Sequence, residues 1–138
     1  MVRRFAEDTD VPVGRSQGEV KDRLRAAGAD QIAIFESSLT GAVAFTLAGR
    51  MYRLEVPRPT TAKNPDQEER RAWRLLLLLV KAKLEAVREG ATTIEREFLA
   101  DMLLPDGSTV HQRATAELAI AYEKGEMPTT LLLAGPRR

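Results

Sequence analysis

"QIAIFESSLTGAVAFTLAGRMYRLEVP", residues 31–57, is the stretch whose reading decides the fold class. It divides into three runs, QIAIFE (31–36), AVAFTLA (42–48) and RMYRLEV (50–56), separated by Ser37–Gly41 and by Gly49. Short connections between such runs predict a three-stranded antiparallel meander. Side chains alternate between the two faces of a strand, so Val43, Phe45 and Leu47 share one face and Ala42, Ala44, Thr46 and Ala48 the other. In the third run Tyr52, Leu54 and Val56 alternate with Met51, Arg53 and Glu55. The Ala/Thr side is small and weakly polar. It either admits a close-packed helix or lies open as a shallow platform.

Upstream, VPV (11–13) predicts a short edge strand, because Pro12 donates nothing to a ladder. SQGEVKDRLRAAG (16–28) predicts a short helix: Ser16 and Glu19 form a capping-box pattern, Gly28 suits the position past the end, and Val20, Leu24 and Ala27 share a face. Downstream, Asn64 can cap and Pro65 suits a first helical position, predicting a helix from Pro65 to Glu89 stopped by Gly90. At 1.5 Å per residue it would be about 37 Å long, more than three strands need. A second box, Thr92 with Glu95, opens a segment that stops at Pro105-Asp106-Gly107. A last helix is expected over Val110 to Lys124, with Val110, Ala114, Leu118 and Ala121 on one face, then a tail whose Leu131–Leu133 can dock.

The expected fold is therefore α+β. A three- or four-stranded antiparallel sheet carries one long helix packed across it, a short N-terminal helix and two C-terminal helices. The 138 residues fit one domain spanning 1–138, with residues 1–10 and 134–138 expected to be flexible. Apolar content of 43% and charged content of 30% exclude global disorder. Cysteine is absent, which excludes disulfides, thiolate metal sites and cysteine nucleophiles, and fits a reducing cytoplasm.

RRAWRLLLLLVKAKLEAV (70–87) raises the question of a membrane segment. Its uninterrupted apolar run, Leu75 to Val80, is six residues long, whereas a span needs ~20. The membrane reading fails. On a helical projection Leu75, Ala82, Ala86, Leu79, Ala72, Lys83, Leu76, Val87, Val80, Trp73 and Leu84 fall in order on one broad arc. Arg70, Arg74, Lys81, Glu85 and Arg88 occupy the other side, with Leu77 and Leu78 among them. A helix apolar nearly all round is covered on more than one side, so a second subunit is one expected partner.

Residues 50–84 hold 9 basic and 4 acidic groups, and residues 85–127 hold 4 and 9. The asymmetry either builds an oriented surface or is neutralised within the fold. Arg70, Arg74 and Lys81 form a line that, with Arg50, Arg53, Arg58 and Lys63, could track the phosphates of a nucleic acid. Phe35 or Tyr52 could stack a base. The plainer readings are a solvated face for the cations and core packing for the rings. Lys83 sits amid apolar residues. Its stem snorkels outward, or it pairs with Glu95 or Glu97, or it points into a groove.

No catalytic set is found. His111 is the sole histidine, no phosphate-binding glycine motif occurs, and Glu95, Glu97 and Asp101 lack the rest of a coordination shell, so neither metal nor cofactor is expected.

WRLLLLLVKAKLEAV (73–87) followed by EREFLADMLLPDG (95–107) resembles small uncharacterised proteins of tailed phages, prophages and environmental sequences. The resemblance implies a mobile-element origin and a host-cytoplasmic setting, and carries no activity across. The expected function is a non-enzymatic nucleic-acid-binding accessory protein, for single-stranded DNA before duplex. The alternative is a protein-binding module, such as an inhibitor of a host enzyme or defence factor, acting through Leu77, Leu78 and Lys83.

Overall fold

The structure, a computed structural model, describes residues 9–57 and 63–128. Its elements run α1 (Val13–Ala26), β1 (Ile32–Glu36), β2 (Thr40–Leu47), β3 (Arg50–Pro57), α2 (Pro65–Arg88), α3 (Ile94–Phe98), a 3-10 turn at Leu99–Asp101 and α4 (Val110–Lys124). The class is α+β, with one antiparallel sheet in the order β1-β2-β3.

The meander follows the sequence reading closely. Phe45 pairs with Ile32 on one side and Tyr52 on the other, and Leu47 with Arg50. That last pairing leaves Ala48 and Gly49 as a two-residue turn. Both have positive φ, 53° and 79°, as the twist of a tight hairpin demands. No fourth strand forms among the described residues. Instead Met102 and Leu103 make isolated bridges, Leu103 N–H donating to the Met51 carbonyl at 2.8 Å.

The expected inner face is the buried one. Val43, Phe45, Leu47, Tyr52, Leu54 and Val56 form one cluster with Val20 and Leu24 of α1, Trp73, Leu76, Leu77 and Val80 of α2, and Phe98 of α3. Full burial of each large member contributes about 1.5–3 kcal/mol. Phe45 stacks on Tyr52 at 5.3 Å between ring centroids, and Phe98 meets both rings edge-on.

Two helices share this layer. α2 lies along α1. At their N-terminal ends Gln67 Nε2 donates to the Thr9 carbonyl at 2.7 Å. At their C-terminal ends Glu85, whose carboxyl the hydrogen bond from Arg88 lowers, also lies within electrostatic reach of Arg23. The helices therefore run in the same direction. α2 starts as expected, with Asn64 Oδ1 accepting from the Gln67 N–H and Pro65 at the first position.

Three sequence expectations are corrected. Residues 11–13 form no strand; α1 begins at Val13, its first turn bonding to the Pro12 carbonyl from Arg15 and Ser16 N–H. Ser16 is not a cap. It lies one helical turn from Val20 and two from Leu24, and all three are fully buried, so the apolar face extends through it and overrides its capping tendency. The cap of α3 is Thr93, which accepts from the Arg96 N–H, while Thr92 donates its hydroxyl to the Glu97 carboxylate. α4 matches expectation, opening with a Thr109–Gln112 capping box and closing on left-handed Gly125.

Candidate interaction surfaces

The buried face of α2 is turned relative to the sequence projection. Leu77, expected on the outer side as an interface residue, is fully buried, while Leu79, expected inside, is 49% exposed. With leucine at five consecutive positions, hydrophobicity alone could not fix the rotation; the indole of Trp73, docked near Gly41 of β2, marks the buried side. Leu78 is half-buried. The rotation brings Arg70, Arg74 and Lys81 to the shoulder of the buried face, where each is half-buried.

Several of the expected phosphate ligands are engaged by separate partners within the chain. Arg50 donates to Glu95 Oε2 at 2.9 Å. Arg53 reaches the Gly107 carbonyl at 3.4 Å and Gln112 Oε1 at 3.5 Å, with the Glu55 carboxylate 3.5 Å from its Nε. Arg70 donates twice to Gln67 Oε1, at 3.1 and 2.7 Å. Lys63 is exposed beside the Asn64 cap, and Arg58 lies outside the described residues. Arg74 and Lys81 have no side-chain partner among the described residues. Among the described residues the β3 arginines and the α2 cations thus share no hydrogen-bond or ion-pair partner.

Tyr52 cannot stack a base. It is fully buried, its ring held between Phe45 and Phe98, and burial is the main cause raising its phenol pKa. Phe35 is available, 57% exposed on the outer sheet face.

Lys83, expected at an interface, is half-buried and makes its contacts within the chain. Its Nζ donates to the main-chain carbonyl of Glu97 at 2.5 Å and stands 5.3 Å over the Phe98 ring. Part of the basic block is thereby answered by the acidic one inside the fold, at Arg50–Glu95 and around Lys83. Asp101 lies near enough for Lys83 and His111 to lower its pKa, yet burial outweighs them and raises it. The three carboxylates considered together in the sequence are used separately: Glu95 by Arg50, Glu97 by Thr92, Asp101 beside Lys83. Among the described residues no group of three or more metal-ligating side chains is present. No described helix is long and apolar enough to cross a membrane.

Among the described residues two surfaces remain open. One is the outer sheet face, where Gln31, Ala33, Phe35, Ala44, Thr46 and Met51 line a shallow depression of about 180 Å³. Met51 is 50% exposed there; Ala42, flanked in register by Phe35 and Glu55, is small enough for its neighbours to screen. The other is the outer edge of β1, which pairs with no strand among the described residues and which the sequence reading missed. The available signal was the absence of Lys and Pro from IAIFE (32–36), since those residues ordinarily blunt an edge. On α4, Val110 is buried but Leu118, expected on the same face, is 41% exposed.

No protein-family model matches the sequence, and no curated protein and no solved structure matches the chain.

Proposed function

We propose that this chain is a non-enzymatic protein-binding module whose contact surface is the open outer face of the sheet. The observation that carries this reading is the pairing of Phe35 and Met51, both at least half exposed, around an alanine-lined depression. Large rings and methionines over small residues give an apolar anchor point of the kind protein interfaces use. The internal use of Arg50, Arg53 and Arg70 argues the same way, because these cations are already engaged. With the phage-type resemblance, the partner is a host enzyme or defence factor met in the host cytoplasm.

A second reading rests on Arg74 and Lys81, half-buried on α2 without side-chain partners among the described residues, with Lys63 exposed at the head of that helix. These three could hold the phosphates of single-stranded DNA.

One experiment separates the two. The immobilised protein is exposed to host lysate, and separately titrated with labelled oligonucleotides at ~50 and ~200 mM salt. The protein-binding reading expects a retained protein that Phe35→Ser/Met51→Ser releases and Arg74→Ala/Lys81→Ala does not. Salt-sensitive oligonucleotide binding abolished by Arg74→Ala/Lys81→Ala would replace it with the second reading.

A further inference from the structure

We infer that the core holds an internal water molecule, bound between the hydroxyl of Ser16 on α1 and the indole N–H of Trp73 on α2. The site lies inside the helix layer and is independent of the outer sheet face.

Both residues are fully buried, and neither Ser16 Oγ nor Trp73 Nε1 has a hydrogen-bond partner among the described residues. Buried polar atoms are nearly always satisfied, because leaving one bare forfeits the bonds it makes with water in the unfolded chain. Ser16 cannot use the usual outlet of a helical hydroxyl, the carbonyl one turn back. That carbonyl, of Pro12, already accepts from the N–H groups of both Arg15 and Ser16.

The fold brings the two side chains to the same end of the core. A β-carbon on Gly41 would stand 3.0 Å from Cζ2 of Trp73, which puts the indole at the Gly41 end of β2. One on Gly28, just past α1, would stand 3.7 Å from Leu47 Cδ1, which puts the close of α1 at the other end of β2. Ser16 is about 15 Å back along α1 from Ala26, and Gly41 about 20 Å back along β2 from Leu47, so Ser16 and Trp73 lie at matching depth. Ser16 faces inward with Val20 and Leu24, which belong to one core cluster with Trp73, and α1 packs along α2.

The chemistry selects water. The indole N–H can only donate, whereas a serine hydroxyl can donate and accept. A molecule that accepts from the indole and shares a bond with the hydroxyl therefore serves both. Two fixed polar partners meet the minimum that a buried water needs. A serine on an otherwise apolar helix face thus acquires a use: it ties α1 to α2 through the ring that docks on Gly41.

Trp73 is the only tryptophan in the chain, so its indole proton and its emission report on this site alone. A crystal structure at a resolution that shows ordered water should place a water within hydrogen-bond distance of both atoms. In solution, NMR should show magnetisation passing from a long-lived water to the indole proton. Ser16→Ala, which keeps the helix and deletes the anchor, should abolish that transfer and shift the Trp73 emission to the blue. Ser16→Thr, which keeps a hydroxyl, should retain the transfer. A direct Ser16–Trp73 hydrogen bond or a dry contact in the crystal overturns the inference. So does a Ser16→Ala variant whose transfer and emission match those of the wild type.

Discussion

Lys83 on α2 is bound to the backbone of α3: its ammonium donates to the Glu97 carbonyl at 2.5 Å while lying 5.3 Å over the Phe98 ring. Phe98 is itself fully buried against Phe45 and Tyr52. A single cation thus ties the long helix to the short one and closes the core at that end. The carbonyl it serves belongs to a helix too short to satisfy all its own acceptors, which is why a charged donor is retained amid apolar neighbours.

Removing the cation should therefore cost more than removing its neighbour on the same helix. A hydrogen bond from a charged group contributes about 1.5–3 kcal/mol, so Lys83→Ala should lose at least about 2 kcal/mol once the ring contact is included. Lys81→Ala, without a side-chain partner among the described residues, should stay within about 0.5 kcal/mol. Urea denaturation of the two variants tests this; equal losses would show that the contact with Glu97 and Phe98 contributes nothing.

Trp73 and Gly41 make a second close pair. A β-carbon on Gly41 would stand 3.0 Å from Cζ2 of the fully buried indole. The ring is packed on all sides and cannot retreat without disturbing Leu77 and Val80. Gly41→Ala should accordingly destabilise by about 1–3 kcal/mol, despite the entropy it removes from the unfolded chain. Combining it with Trp73→Phe, which takes the offending atom away, should recover part of that loss in a thermal melt. Absence of recovery would place the strain elsewhere.

The hairpin turn offers a change of opposite sign. Ala48 holds φ at 53°, the left-handed region that a side chain enters at a cost of about 1 kcal/mol or more. Asn tolerates this region and is the preferred residue at the first position of such a turn. Ala48→Asn should raise stability by about 0.5–1 kcal/mol with the strand register unchanged, measurable as a higher urea midpoint at constant slope.

What could be read from the sequence was what depends on neighbours along the chain. The strands were legible from period-two alternation through Val43, Phe45 and Leu47, and the ends of α2 from Asn64, Pro65 and Gly90. The rotation of α2 was not, because Leu75 through Leu79 offer every direction equally. Nor was the fate of the cations. Arg50 finds Glu95 across 45 residues of sequence, and Lys83 finds a main-chain carbonyl, which has no signature in residue type. Ser16 misled because its spacing to Glu19 matches a cap and its spacing to Val20 and Leu24 matches a buried face, and burial won.

The acid response of the fold should depend on two aspartates acting in opposite senses. Burial, the dominant influence on Asp101, raises its carboxyl above the usual 3.8, with Lys83 and His111 opposing. The folded state then holds that proton more tightly than the unfolded chain. The benefit is complete below the unfolded value and is lost as pH climbs through the raised one, so the ionised carboxylate burdens the fold at neutral pH. Asp106 is the reverse case: Ser108 donates to it from both hydroxyl and N–H, at 2.6 and 2.9 Å, and its carboxyl is lowered. Its contribution is present above the unfolded value and disappears as pH falls through the lowered one. Asp101→Asn should therefore raise the Tm at pH 7 and lose that advantage near pH 3, while Asp106→Asn should lower the Tm at pH 7 and converge on wild type in acid. Melting both variants across pH 2–7 checks the pair; curves for the two that move in the same direction would mean that burial of Asp101 does not outweigh the attraction of Lys83.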